Sequence, residues 1–354
     1  MLIRKTVLSL TLFTTLFTAI QESQATLLSI SQTPLVLSDS VPPNLILTLD
    51  DSGSMRFSFI PDAIGQETQG HRNYRRAKSA AFNSMYYDPS ITYEIPLKID
   101  SDGAQASTGY STSFTQAYHN GFNTGLGSID LSGANYRVGW DVPLTSTPAS
   151  YTYNNSTNYS GSGTIYRLAE NPTTDFSASV NLSRNGTSTA TTPGGIVFSI
   201  NRTGSNSCTA TASYTGAFSS LSASCSRTAN DTYTATLAQS AVPAYYYTLK
   251  TACTNTSNDD CYQLHFVAND DANKQKNFAI WYSFYRNRAL ATLSAAQIAF
   301  ADLPSEVRLT WQSLGNCTNF NGTSSACKDN RLREYSNTHK GQLFSWLQDP
   351  PFDQ

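Results

Sequence analysis

Asp50, Ser52 and Ser54 stand at alternate positions in the stretch Asn44-Leu45-Ile46-Leu47-Thr48-Leu49-Asp50-Asp51-Ser52-Gly53-Ser54-Met55. A short apolar run ends abruptly in Asp-x-Ser-Gly-Ser. One carboxylate and two hydroxyls with small residues around them make a set of hard oxygen donors. Such donors suit a divalent cation. Mg²⁺ fits best, because it keeps several waters and takes few protein carboxylates, while Mn²⁺ and Ca²⁺ accept the same ligand type. In this reading the two hydroxyls ligate directly, Asp50 ligates directly or through water, and an acidic group on a partner completes the shell. The chemistry is that of a metal-dependent adhesion site, which binds rather than catalyses. The competing reading is an Asp-Ser-Gly turn after a strand, with no metal.

Two enzymatic readings use the same residues. A haloacid-dehalogenase-type phosphatase also ends a strand in an aspartate nucleophile, but it wants a second Asp where Ser52 stands. A Ser52 hydrolase needs a base. None of the four histidines, His71, His119, His265 and His339, sits in a recognisable triad, and G-x-S-x-G is absent. Asp100-Ser101-Asp102-Gly103 resembles part of a calcium loop, but it lacks the third carboxylate and the distal Glu, and it reads as a turn.

The elements that must position the motif follow from periodicity. Asn44 to Leu49 is almost continuously apolar and predicts a buried strand. A helix is expected around Tyr74 to Tyr86, with Ala77, Ala80, Ala81 and Met85 on one side, ended by Asp88-Pro89. From about Asp100 to Asp260 Ser, Thr, Asn, Gly and Tyr dominate. Short alternating runs such as Phe176 to Leu182 and Gly195 to Ile200 are separated by Asn-Gly and Pro-Gly-Gly turns, which are hairpin signals. Tyr245-Tyr246-Tyr247 reads as an aromatic strand at the boundary of this block. Phe278, Trp281, Tyr285, Leu293, Ala296 and Phe300 follow a helical period that Pro304 stops. Val307, Leu309 and Trp311 then alternate as a strand, and Leu343 to Leu347 is a short amphipathic piece. The expected fold class is α/β, an open sheet interrupted by a β-rich, disulfide-bearing insertion. Ligands of open α/β sheets sit at the carboxyl ends of the strands, and Asp50 falls at one.

Arg4 and Lys5, the apolar run Val7 to Ile20 and the small-x-small site Ser23-Gln24-Ala25 form an export signal, with the mature chain starting at Thr26. No stable membrane span is expected after cleavage. In an exported chain six cysteines imply three disulfides. Neighbouring couples are favoured: Cys208 with Cys225, Cys253 with Cys261, and Cys317 with Cys327. Loops this short contribute about 2–3 kcal/mol each. A net charge of −2, with only 14% charged residues and no basic patch, excludes an electrostatic nucleic-acid binder. The absence of CxxC and of a Cys/His cluster argues against zinc.

Three segments together resemble one family. Pro43 to Met55 has the general pattern of a von Willebrand factor A domain. Tyr86-Tyr87-Asp88-Pro89-Ser90-Ile91-Thr92-Tyr93 and Asn277-Phe278-Ala279-Ile280-Trp281-Tyr282-Ser283-Phe284-Tyr285-Arg286-Asn287-Arg288 are more specific and look like the PilC/PilY family of type IV pilus tip proteins. The resemblance implies an exported pilus-associated adhesin or biogenesis factor in the periplasm, on the outer surface or at the pilus tip. Its implied partners are minor pilins and a host-cell or abiotic surface. It also implies a signal peptide over 1–25, a linker over 26–43, a partial von Willebrand A (Rossmann-like) domain over 44–99 and 276–354, and an insertion over 100–275. The family's further metal loops and its β-propeller have no counterpart in these residues. The expectation is therefore the first of three metal loops, cation binding of about millimolar strength and marginal stability. The alternative is an exported β-rich scaffold whose insertion does the surface binding without metal.

Overall fold

The computed structural model describes residues 42–61, 64, 74–133, 136, 139–141, 167–168, 172–216, 221–237 and 242–348. The expected signal peptide, the Thr26 start and most of the linker lie outside them, as does His71.

Strand β1 (Asn44–Leu49) delivers the chain to the Asp50–Ser54 loop. After turns and short ladders come β2 (Ser177–Asn181), β3 (Gly186–Thr191), β4 (Val197–Arg202), β5 (Cys208–Ser213), β6 (Leu221–Ala229) and β7 (Thr232–Leu237). A hairpin of β8 (Tyr245–Leu249) and β9 (Tyr262–Phe266) follows. Helices α1 (Ala272–Phe284) and α2 (Arg288–Ala301) lead back to β10 (Arg308–Ser313), the two-residue β11 (Arg333–Glu334) and α3 (Asn337–Gln348).

β1 and β10 pair in parallel, with Asn44 opposite Arg308 and Leu49 opposite Ser313, and β11 adds antiparallel to β10. Leu49, Leu309 and Trp311 pack with Leu290 and Leu293 of α2 and Leu343, Phe344 and Trp346 of α3 in one core. The buried strand expected at Asn44–Leu49 needs correction. β1 is an edge of its sheet, and Ile46 keeps 61% of its surface exposed. The helices cover the face that carries Leu47 and Leu49, and apolar composition alone does not distinguish an edge strand from a central one.

The insertion forms a six-stranded antiparallel sheet in the order β2-β7-β6-β5-β4-β3, curled until β2 and β3 approach each other. Alternation explains its two faces. Val180, Phe198, Ile200, Ala212, Leu221, Tyr233 and Ala235 point into the core, while Ser179, Thr209, Thr211, Ser222, Ser224 and Thr236 are exposed. That core continues through Tyr245, Tyr247 and Phe266 to Phe278 and Trp281 of α1. Cys208–Cys225 joins the adjacent strands β5 and β6, Cys253–Cys261 closes the β8–β9 loop, and Cys317–Cys327 closes the loop after β10.

Two further expectations are corrected. The helical run from Phe278 to Phe300 is two helices. Asn287 caps α2 by accepting from Leu290 N at 2.9 Å, and Ser294 Oγ donates to the Phe284 carbonyl at 2.6 Å. The helix expected over Tyr74–Tyr86 is a single 3₁₀ turn at Arg76–Lys78 followed by turns. The buried Asn83 amide accounts for this by taking backbone groups from three places. It donates to Ser58 O and Ala77 O and accepts from Ile60 N. Asp100–Gly103 is a turn, with Gly103 N donating to Asp100 O. It lies so close to α3 that a Cβ on Gly341 would stand 2.1 Å from Ser101 O.

A buried ion pair ties the start of the insertion to the rest. The Arg75 guanidinium donates to both oxygens of Asp175, at 2.6 and 2.8 Å, and Tyr247 OH donates to Asp175 Oδ2 at 2.7 Å. Burial and the Asp175 carboxylate push Tyr247 well above its ordinary value, so it stays a neutral donor.

Two predictions follow from this packing. Replacing Asp175 by Ala leaves Arg75 charged and buried at 2% exposure. We expect a loss of about 3–5 kcal/mol of unfolding free energy in urea titrations. The second concerns His119, whose Nδ1 lies 2.8 Å from Tyr282 OH. Burial, with the nearby Arg286 charge, lowers its pKa from 6.5 to about 3. Below 6.5 the unfolded chain therefore binds a proton that the folded chain refuses. The stability His119 contributes is complete above pH 6.5 and declines as pH falls toward 3, by at most about 1.4 kcal/mol per pH unit. In His119→Gln, urea unfolding between pH 6.5 and about 5, above the carboxylate range, should show a shallower decline. An unchanged slope refutes the assignment.

Candidate metal site

The loop after β1 begins with the alternation of the strand itself. Leu49 points into the core, Asp50 points out, Asp51 is buried and Ser52 is exposed again. Ser52 then stands at the N-cap position of a 3₁₀ turn over Gly53–Arg56 without a side-chain cap bond, and Met55 N donates to Ser52 O at 3.0 Å. Met55 anchors the turn by entering the core beside Leu49. The next residues are fixed by α2, where Arg288 donates from its backbone to Phe57 O and from its guanidinium to Phe59 O. Both ends of the loop are therefore held by packed elements.

The structure brings two of the three expected ligands, the Ser52 and Ser54 hydroxyls, within hydrogen-bond distance and bonds the Asp50 carboxylate to the Ser52 amide. Asp50 Oδ1 accepts from Ser52 N at 2.8 Å, which orients the carboxylate alongside the loop. The Ser52 and Ser54 hydroxyls converge to 2.9 Å. Adjacent ligands of an octahedral Mg²⁺ at about 2.1 Å stand about 2.9–3.0 Å apart, whereas the longer bonds of Ca²⁺ spread them further. The 2.9 Å contact is a hydrogen bond between the two hydroxyls, and the same separation is compatible with neighbouring positions in an octahedral shell. Among the described residues no group of three or more His, Cys, Asp or Glu side chains gathers as a metal cluster. The oxygen donors the loop itself offers are two hydroxyls and one exposed carboxylate.

The three described histidines, the bases the hydrolase reading would call on, are each bonded elsewhere. His119 is bonded to Tyr282, His265 to Thr248, and His339 Nε2 to the Leu309 carbonyl. The near neighbour of the Ser52 hydroxyl is Ser54.

The residue that pattern reading missed is Asp51. Its carboxylate points inward and accepts from Ser313 Oγ at 2.6 Å, Gly315 N at 3.3 Å and Asn316 Nδ2 at 3.3 Å. Leu314 N donates to Leu49 O at 3.1 Å, so the turn after β10 lies directly against the loop after β1. The period of two running on from Leu49 was the available signal for an inward Asp51. The partner turn, more than 260 residues away, left none.

The other two segments that carried the family resemblance pack on each other. Trp281 Nε1 donates to Met85 O at 3.1 Å, and Asn277 accepts from Tyr93 N and donates to Ile91 O. Tyr285 OH donates to Glu94 O, and Tyr87 packs edge-on against Phe278 and Trp281. They form a joint between the loop region and α1.

Along nearly its whole length the chain matches proteins named type IV pilus biogenesis factor PilY1 in Pseudomonas aeruginosa. It is 30% identical to that of strain PAO1 over 98% of this chain and 32% identical to that of strain PAK, also over 98%. For strain UCBPP-PA14 the figure is 29% over 92%. Over these residues the chain is similar to the PilC/PilY family. It spans only about a fifth of the length of these relatives, 22% for two of them and 20% for the third. No family model and no solved structure matches it. No helix among the described residues is long and apolar enough to cross a membrane.

Proposed function

We propose that this chain is an exported, type IV pilus-associated adhesion or biogenesis module that holds a divalent cation at Asp50, Ser52 and Ser54. The observation that carries the reading is the convergence of the two hydroxyls to 2.9 Å beside an exposed carboxylate at a strand end. Ser52 and Ser54 ligate the cation, and Asp50 ligates directly or through water. The bound ion supplies positive charge on a site with one protein carboxylate, so that an acidic group of a partner can enter the shell. The pilus association rests on relatives named for pilus biogenesis. In this reading the partners are minor pilins and a host-cell or abiotic surface, and the sheet of β1, β10 and β11 is part of a von Willebrand A-type fold.

The scaffold reading draws on a different observation, the uncharged Ser/Thr face of the six-stranded sheet. There Ser177 pairs with Thr236 at 3.0 Å and Ser179 with Thr234 at 2.8 Å. Surface binding through that face would need no cation.

Calorimetric titration with Mg²⁺, Mn²⁺ and Ca²⁺ separates the two. The expected result is binding of about millimolar strength with Mg²⁺ or Mn²⁺ ahead of Ca²⁺, because the protein offers one carboxylate and two hydroxyls. Ser52→Ala/Ser54→Ala should abolish it. Equal heats from wild type and the double variant would remove the metal assignment and leave the scaffold.

A further inference from the structure

Asp51 is a carboxylate with 7% of its surface exposed, one residue from the loop's exposed carboxylate and aimed the opposite way. Its oxygens are taken by three donors, the Ser313 hydroxyl, the Gly315 amide and the Asn316 side-chain amide. It is therefore not a ligand for an ion outside. Ser313 also ties its own turn, accepting from Asn316 N at 3.0 Å while its backbone N–H donates to Asn316 O at 2.9 Å. The next residue, Cys317, holds a left-handed backbone conformation with φ 61° and is bonded to Cys327. The closed loop is fastened to β10 in turn. Trp311 Nε1 donates to Cys327 O at 2.9 Å, and Asn330 Nδ2 donates to both Trp311 O and Cys317 O. A continuous set of hydrogen bonds thus runs from the disulfide-closed loop through the 313–316 turn to Asp51, which precedes Ser52.

We infer that Asp51 is the positioning residue of the cation loop, and that the 313–316 turn beside the Cys317–Cys327 loop is the rigid support it grips. The inference rests on the cation reading above. Asp51 fixes the peptide that carries Ser52, so it sets the angle at which the Ser52 and Ser54 hydroxyls meet. Gly315 lets the turn come this close, since a Cβ there would stand 3.3 Å from the Asp51 carboxylate. A site with few protein ligands depends heavily on such support, because misplacing one hydroxyl loses a large share of its binding. Hydrogen-bond partners behind metal ligands typically change affinity about 10–100-fold when removed.

The test is Mn²⁺ binding to the purified chain, with free ion read by electron paramagnetic resonance and Mg²⁺ as competitor. Asp51→Asn places an amide against three donors and should weaken Mn²⁺ binding about tenfold or more. Ser313→Ala removes the shortest bond and should weaken it in the same direction, by less. Ile200→Ala, a substitution buried in the separate core of the six-stranded sheet, should lower thermal stability while leaving Mn²⁺ affinity unchanged. If Asp51→Asn and Ser313→Ala bind like wild type while Ser52→Ala/Ser54→Ala does not, the positioning role is wrong and the cation reading stands. If Ile200→Ala loses as much affinity as Asp51→Asn, the effect is general destabilisation and the positioning role is again wrong. If the wild type binds no Mn²⁺, both fail together.

Discussion

Two parallel strands cannot be joined by a tight turn; they need a crossover. Here the parallel pair is β1 with β10, and the crossover holds most of the described molecule, from Asp50 to Val307. Everything in between must leave at one end of β1 and return at the opposite end of β10. The loop that follows β1 and the turn that follows β10 therefore emerge side by side. This adjacency creates the contact between Asp51 and the 313–316 turn, and it places Asp50, Ser52 and Ser54 on a supported rim.

A crossover this long has to be closed by contacts of its own. The aromatic residues do this. Tyr86 OH donates to the Tyr245 carbonyl at 2.8 Å and lies 3.1 Å from Tyr136 OH, all three rings being buried. Tyr and Trp suit such joints because each brings a large apolar area and one polar group that can be satisfied internally. The Arg75–Asp175–Tyr247 cluster adds specificity at the point where the insertion sheet begins, since a buried charge tolerates few alternative partners. Among the described residues the result is two cores: one under the insertion sheet and α1, the other between the β1–β10 sheet and α2 and α3. The short Tyr285–Asn287 link between the helices, with its Asn287 cap, marks the passage from one core to the other.

The segments that carry the resemblance to pilus proteins divide into two physical roles. Pro43 to Met55 builds the rim. Tyr86–Tyr93 and Asn277–Arg288 build the joint that holds the crossover against α1, through Trp281, Asn277 and Tyr285.

The sequence by itself determined the local features: the strand leading to Asp50, the alternating runs of the insertion, the aromatic strand at Tyr245–Tyr247 and the helical period from Phe278. It also placed the candidate ligands, because their spacing is a matter of i, i+2 and i+4. These properties are set within a few residues by side-chain period and turn chemistry. Only the tertiary structure decided which strand is an edge, why Tyr74–Tyr86 is not a helix and what Asp51 does. β1 reads as buried until its neighbours are known. Asn83 breaks a helical pattern by bonding Ser58, which lies 25 residues before it. Asp51 finds Ser313 more than 260 residues away. Hydrogen bonds across such separations exist only once the chain has closed its crossover, and no local period encodes them.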